Sequence, residues 1–163
     1  MLRNDYADQT CSVAATLEVV GERWSLLIIR DVLLGVRRFD ALQADLGVAR
    51  NVLQTRLERL VAEGILEKRL YQERPKRYEY VLTEKGLDLW PTIVALLQWG
   101  NKYAAPHGPP VVLEHRGCGG SVDEHRICTL CGARLTAGDV QSYAGPGAGP
   151  RHPLRSRAQR QAA

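Results

Sequence analysis

A chain of 163 residues has room for one ordinary domain and a small appendage, and an apolar content of 45% supports a genuine core. No apolar run reaches the roughly 18 residues of a membrane-spanning helix, and MLRNDYADQT at the N-terminus has no apolar signal segment, so the expected location is the cytoplasm. The net charge of +4 is weaker support for nucleic-acid binding than it looks: Arg151, Arg155, Arg157 and Arg160 account for all of it, leaving residues 1–140 formally neutral.

In chain order, CSVAATLEVV (11–20) places Val13, Leu17 and Val20 on one helical stripe that stops at Gly21. WSLLIIRDVLL, from Trp24, is apolar nearly all round and reads as a core helix ending at Gly35. From Arg38 to Leu46, Phe39, Leu42 and Leu46 share a face, and Gly47 supplies a turn. The next helix, about Ala49 to Glu63, buries Leu53, Leu57 and Leu60 and stops at Gly64. Ile65–Tyr71 and Arg77–Leu82 suit two strands with Pro75 at the tip between them, the second alternating around Tyr78, Tyr80 and Leu82. Thr83 is placed to cap a long helix running to about Tyr103, bent at Pro91, whose wide apolar face (Leu87 to Trp99) predicts contact with a second subunit.

Helix, glycine turn and helix over Arg37–Leu66, followed by a basic hairpin, is the layout of a winged helix-turn-helix, whose second helix is laid in the major groove of DNA. That helix turns Asn51, Gln54, Thr55 and Glu58 away from its leucine face. Asn and Gln pair bidentately with adenine, and Thr offers a methyl to thymine. Arg50, Arg56 and Arg59 flank them, placed for phosphate or guanine. In the hairpin, residues 68–77 hold Lys68, Arg69, Arg74, Lys76 and Arg77 against one acid, Glu73. The expected DNA-contacting set is Arg38, Arg50, Asn51, Gln54, Thr55, Arg56, Arg59, Arg74, Lys76 and Arg77. No P-loop, Rossmann glycine pattern or nucleophile elbow is present, so the reading is a regulator and not an enzyme. The reading from another class is a winged helix serving as a protein-interaction module, with no specific DNA target.

Three of the four cysteines lie within HRGCGGSVDEHRICTLCG (115–132). In a cytosolic chain such spacing points to metal and not to a disulfide framework. His115-x-x-Cys118 and Cys128-x-x-Cys131, each followed by glycine, form two knuckle-like turns that together offer three thiolates and an imidazole to a structural Zn2+. His125 is an alternative fourth ligand, and a ribbon that has lost its ion and keeps only thiols is the other reading. The fold class expected is therefore mainly α with a small β wing, a winged helix-turn-helix plus a small C-terminal zinc-ribbon-like module. The organisation expected is a DNA-binding and dimerisation domain over 1–104, a linker at 105–110, the ribbon at 111–140 and a disordered basic tail at 141–163.

CSVAATLEVVGERWSLLIIRDVLLGVRRFDAL, VARNVLQTRLERLVAEGILEKRLY and YEYVLTEKGLDLWP, in that order, resemble the HxlR-type winged helix-turn-helix regulators, relatives of the MarR group. The resemblance implies a homodimer on inverted-repeat operator DNA, with terminal helices packed across a two-fold axis and an unknown small-molecule or redox effector. It also implies two local features. Family members often have Ser where Ala49 stands, so the cap of the recognition helix, worth about 1 kcal/mol, is lost here. Cys11 falls where many members carry an N-terminal cysteine that in some senses electrophiles or oxidants; the alternative is a thiol packed as a small apolar group.

Overall fold

The structure, a computed structural model, describes residues 10–150 and 152–154. The helices are α1 (Ser12–Val20), α2 (Ser25–Leu33), α3 (Phe39–Leu46), α4 (Arg50–Ala62), α5 (Glu84–Leu87) and α6 (Trp90–Tyr103). The strands are β1 (Leu66–Glu73), β2 (Lys76–Leu82), β3 (Val111–His115) and β4 (Val140–Ala144), with a 3-10 turn at Ala137–Asp139 before β4. Contacts within the chain form two units, Met1–Gly86 and Leu87–Ala163, so that α6 groups with the C-terminal segment.

In the first unit α2 is central, meeting α3, α4 and β2. Its Ile28 and Ile29 are fully buried, as are Leu42 of α3 and Leu53, Leu57 and Leu60 of α4. The i, i+4, i+7 spacing of the three leucines puts them on one face of a 13-residue helix. Each contributes roughly 1.5–3 kcal/mol on burial. Between α3 and α4 the chain reverses at Gly47, whose φ of 61° lies in the left-handed region that costs glycine nothing, and its N–H returns to the Gln43 carbonyl at 2.9 Å. In α1, Ala14 and Val20 are buried, whereas Val13 and Leu17 of the expected stripe are exposed.

β1 and β2 pair antiparallel from Leu66↔Leu82 to Glu73↔Lys76, so the wing is longer than the sequence suggests and only Arg74 and Pro75 form its tip. A bulge between Leu70 and Gln72 leaves Tyr71 as the extra residue. The expected alternation around Tyr78, Tyr80 and Leu82 gives way to Val81 as the buried residue of β2. Only the base of the hairpin lies on the core, and its outer half stands in water. The Tyr80 amide donates to the Arg37 carbonyl at 2.8 Å, tying the loop before α3 to the open edge of β2.

The long helix expected from Thr83 to Tyr103 is two helices. Thr83 does cap, accepting from the Gly86 amide at 3.1 Å while donating to the Gly64 carbonyl at 2.6 Å. The chain then breaks at Asp88 and Leu89, and Pro91 sits in the first turn of α6, where a missing N–H leaves no bond unmade. Pro91 therefore starts a helix and does not bend one. Among the described residues no helix is long and apolar enough to cross a membrane.

In the second unit β3 pairs antiparallel with β4, from Val111↔Ala144 to His115↔Val140. Residues 141–144, expected to begin a disordered tail, are thus a strand, and the Gly145 and Gly147 amides donate to the Pro110 and Pro109 carbonyls of the supposed linker. The low-complexity look of the segment hides the short β-former VQSYA, whose Val140 is buried with Val111, Val122 and Leu135. Residue 151 and residues 155–163 of the expected tail lie outside the described residues. On α6, Trp90 and Val94 are buried, Leu96, Trp99 and Tyr103 are exposed, and Gln98 Nε2 donates to the Val122 carbonyl at 3.0 Å.

Candidate nucleic-acid interface and metal centre

α4 presents two kinds of polar residue. Arg50, Asn51, Gln54 and Thr55 are exposed around its N-terminal half, opposite the buried leucines. Ala49 is the N-cap, at φ −61° and ψ 141°, and its methyl leaves the first turn without a side-chain cap. Thr55 Oγ1 donates to the Asn51 carbonyl at 2.9 Å, a bond that uses its proton and leaves its oxygen able to accept. Gln54 Nε2 donates to Glu58 Oε1 at 3.0 Å, a surface bond that exchanges readily for another acceptor. The Arg50 guanidinium lies 4.6 Å from the Phe39 ring centroid and 3.5 Å from Asp40 Oδ1, both on the preceding helix.

Arg56 and Arg59 behave differently. Arg56 pairs with Glu22 Oε2 at 2.9 Å, is mostly buried, and keeps an Nε with no hydrogen-bond partner. Arg59 Nη2 donates to the Glu18 carbonyl near the end of α1 at 2.6 Å. Both arginines brace α4 against α1 and the turn after it. Their partners, Glu18 and Glu22, were invisible in the sequence because they lie about forty and thirty-four residues away.

The wing exposes Arg74, Lys76 and Arg77 at and beside its tip. Arg69 is held by Glu79 across the hairpin at 2.6 Å, and Lys68 Nζ sits 4.6 Å from the Tyr78 ring, so these two are occupied. Arg38, just ahead of α3, places its guanidinium 4.5 Å over Tyr71, the bulged residue. Beneath the helix-turn-helix, Asp31 is fully buried. One carboxylate oxygen accepts from Arg30 at 2.6 Å, Oδ2 has no partner, and Arg30 also reaches Asp45 of α3 at 3.3 Å. Burial pushes the Asp31 carboxyl up to about 7 against the pull of Arg30. The sequence analysis missed this cluster, although charges inside WSLLIIRDVLL are the sign of it.

Cys11 is exposed at the N-cap of α1, where the amides of Ala14 and Val13 hold its thiol below the ordinary range.

His115, Cys118, Cys128 and Cys131 bring one donor atom each to within 4.8 Å of one another. The two knuckles are built alike. The Gly119 amide donates to the His115 carbonyl and the Gly132 amide to the Cys128 carbonyl, at 2.8 and 2.9 Å. Each glycine has φ above +70°, which an L side chain rarely adopts. His115 Nδ1 faces Cys118 Sγ at 3.3 Å and Cys131 Sγ at 3.4 Å, and Cys118 Sγ lies 3.3 Å from Cys128 Sγ. The amides of Cys131 and Leu130 draw the Cys128 thiol down to about 6. Gly120 packs over Cys128: a Cβ there would stand 2.4 Å from the sulfur. His125 is turned out, beside Glu124 and bonded through its amide to Asp123, and takes no part in the cluster. Three soft thiolates and an imidazole in this arrangement suit a four-coordinate metal with no open position.

The fold and this surface define a transcriptional regulator with a helix-turn-helix DNA-binding fold. The HxlR-like helix-turn-helix family profile matches residues 19–108. The chain belongs to that family. An uncharacterized HTH-type transcriptional regulator of Mycobacterium tuberculosis, Rv3095, is 48% identical over 137 residues, covering 83% of this chain and 87% of that protein. The solved structure of PA1607, a candidate transcription factor, superposes with a TM-score of 0.66 at 38% identity, over 82% of this chain and 94% of that one. The redox regulator HypR in its oxidized form covers 56% of this chain and 96% of its own, at 30% identity and a TM-score of 0.54. Matches as long as the first two span residues 115–131 wherever they begin, whereas the HypR match is much shorter. The family and these relatives are transcription regulators rather than enzymes.

Proposed function

We propose that the protein is a homodimeric, sequence-specific regulator that reads an inverted-repeat operator in double-stranded DNA. The observation that carries this reading is α4: one face wholly buried leucine, the other a short row of Arg50, Asn51, Gln54 and Thr55 in water beside a basic wing. Asn51 and Gln54 are the base-reading residues, each able to offer a donor and an acceptor to one adenine edge, and Thr55 supplies a methyl for thymine. Arg50, at the N-terminus of the helix, meets phosphate or guanine. Arg74, Lys76 and Arg77 grip the flanking backbone, with Arg38 behind them. Arg56 and Arg59 are positioning residues that fix the angle of α4 through α1.

Residues 1–104 then act as the DNA-binding and dimerisation part, ahead of the cysteine module. Exposed apolar side chains on α1 (Val13, Leu17) and α6 (Leu96, Trp99, Tyr103) are the surfaces offered to a second copy. The Cys3His centre holds a structural Zn2+ that supplies the stability a module with so small an apolar core lacks. Cys11, exposed and acidified, is the candidate entry point for an oxidative or electrophilic signal; a small-molecule effector is the other route.

Selection from random double-stranded DNA with the purified protein tests the reading. The expected product is a two-fold symmetric sequence whose half-sites lie about 10 base pairs, or a multiple, apart. Enrichment of no sequence would refute it and favour a protein-interaction module.

A further inference from the structure

The cysteine cluster carries an inference beyond structural support, and it rests on the zinc reading above. We propose that the Cys3His centre is itself an oxidant-sensitive switch, in which a hydroperoxide joins Cys118 to Cys128 and expels the metal. Cys118 and Cys131 are both exposed to a small oxidant, and Cys118 is the one whose sulfur is seen in contact with that of Cys128. Cys128 is buried at 2% exposure, with its sulfur 3.3 Å from that of Cys118 and Gly120 packed close against it. One sulfur is placed to be attacked and the other to resolve.

The chemistry balances with hydrogen peroxide as the oxidant. The Cys118 thiolate attacks one peroxide oxygen, the O–O bond breaks, and the products are a Cys118 sulfenic acid and hydroxide, which takes a proton to become water. The Cys128 thiolate then attacks the Cys118 sulfur. The S–O bond breaks, the S–S bond forms, and a second hydroxide leaves and is protonated to water. The two thiolates supply both electrons, and the sulfurs close to about 2.05 Å. His115 and Cys131 alone remain as ligands, too few for a structural site, and Zn2+ is released.

The surroundings transmit the change. Val122 is bridged to Cys128, and the Val122 carbonyl holds Gln98 of α6, the helix that exposes Leu96, Trp99 and Tyr103. Loss of the metal removes the constraint on the bridged segment that holds this helix.

The test uses the full-length Cys11→Ser protein, so that the one thiol outside the cluster cannot contribute. Zinc content is measured first, then release of zinc to a chromophoric chelator on titration with hydrogen peroxide, then tryptic peptide mapping without reduction. Cleavage after Arg116, Arg126 and Arg134 places Cys118 in GCGGSVDEHR and the other two in ICTLCGAR. The expected result is zinc release in step with a linked pair of these peptides, whose fragmentation assigns the bond to Cys128, with zinc rebinding after reduction. A protein isolated without zinc would overturn the metal reading and the switch with it. Zinc retained under peroxide, or released while ICTLCGAR alone loses its two thiol hydrogens through a Cys128–Cys131 bond, would overturn the switch and leave the metal reading standing.

Discussion

Ala49 is the sharpest place to perturb the recognition helix without touching its outer face. The N-cap backbone is already extended, and the amides of Asn51 and Val52 at the second and third helical positions have no side-chain acceptor, because Ala49 offers only a methyl. No acid stands in the first turn to compensate. Ala49→Ser would place an Oγ where it accepts from the Val52 amide and should stabilise the fold by about 1 kcal/mol. In a unit the size of Met1–Gly86 that raises the melting temperature of the unit by about 4–8 °C. Ala49→Gly should gain most of the same increment, since glycine leaves the orphan amides open to water. The assay is thermal denaturation together with amide hydrogen exchange. The Val52 amide should become selectively protected in the Ser variant and not in the Gly variant. Unchanged stability in both, or a loss in both, would refute the assignment of Ala49 as the cap and move the start of α4.

Three further outcomes follow from the same geometry. Asp31 holds its proton to about pH 7 in the native state and only to about 3.8 once unfolded, so its contribution is complete at acid pH and is lost as the pH rises towards 7. Asp31→Asn should remove that part of the dependence, at most about 1.4 kcal/mol per pH unit, measured as the difference between wild-type and variant urea midpoints across the range. Parallel profiles for the two would rule out a raised Asp31. Gly86→Ala puts a Cβ 2.2 Å from the Ile65 carbonyl oxygen, and a cost of roughly 2 kcal/mol or more is expected by chemical denaturation; a neutral effect would contradict the close approach of α5 to the backbone just before β1. Gly120→Ala, whose Cβ would meet the Cys128 sulfur, should lower the zinc content of the purified protein several-fold while leaving α4 and the wing folded, as read by metal analysis and circular dichroism.

The first unit was legible because its signals are local. Leucines at helical spacing in 53–60, glycines at 47 and 64 and a basic hairpin around Pro75 each declare themselves within a few residues. The cysteine knuckles were legible for the same reason: ligand spacing and the following glycines sit in one short segment. What the sequence concealed depends on partners far along the chain. Arg56 and Arg59 stand among the expected DNA contacts, and nothing near them in sequence announces their bonds to Glu22 and the Glu18 carbonyl. Strand β4 vanishes into a Gly, Pro and Ala background until Val111–His115 pairs with it. Pro91 was misread for a subtler reason. A proline in an apolar helical run fits a bend or a start equally well, and only the break in the helix at Asp88 and Leu89 decides between them. Truncation at residue 141 would delete most of strand β4, whereas truncation after Leu154 leaves its pairing with β3 intact.

The most direct test measures binding of the protein truncated after Leu154 to a DNA fragment from its own upstream region and to a scrambled fragment, across a salt series. Binding should favour the natural fragment and weaken steeply with salt, as phosphate contacts by Arg74, Lys76 and Arg77 require. The preference should be lost in an Asn51→Ala/Gln54→Ala protein that remains folded. Equal binding to both fragments that the double substitution does not change would contradict α4 as the reading helix.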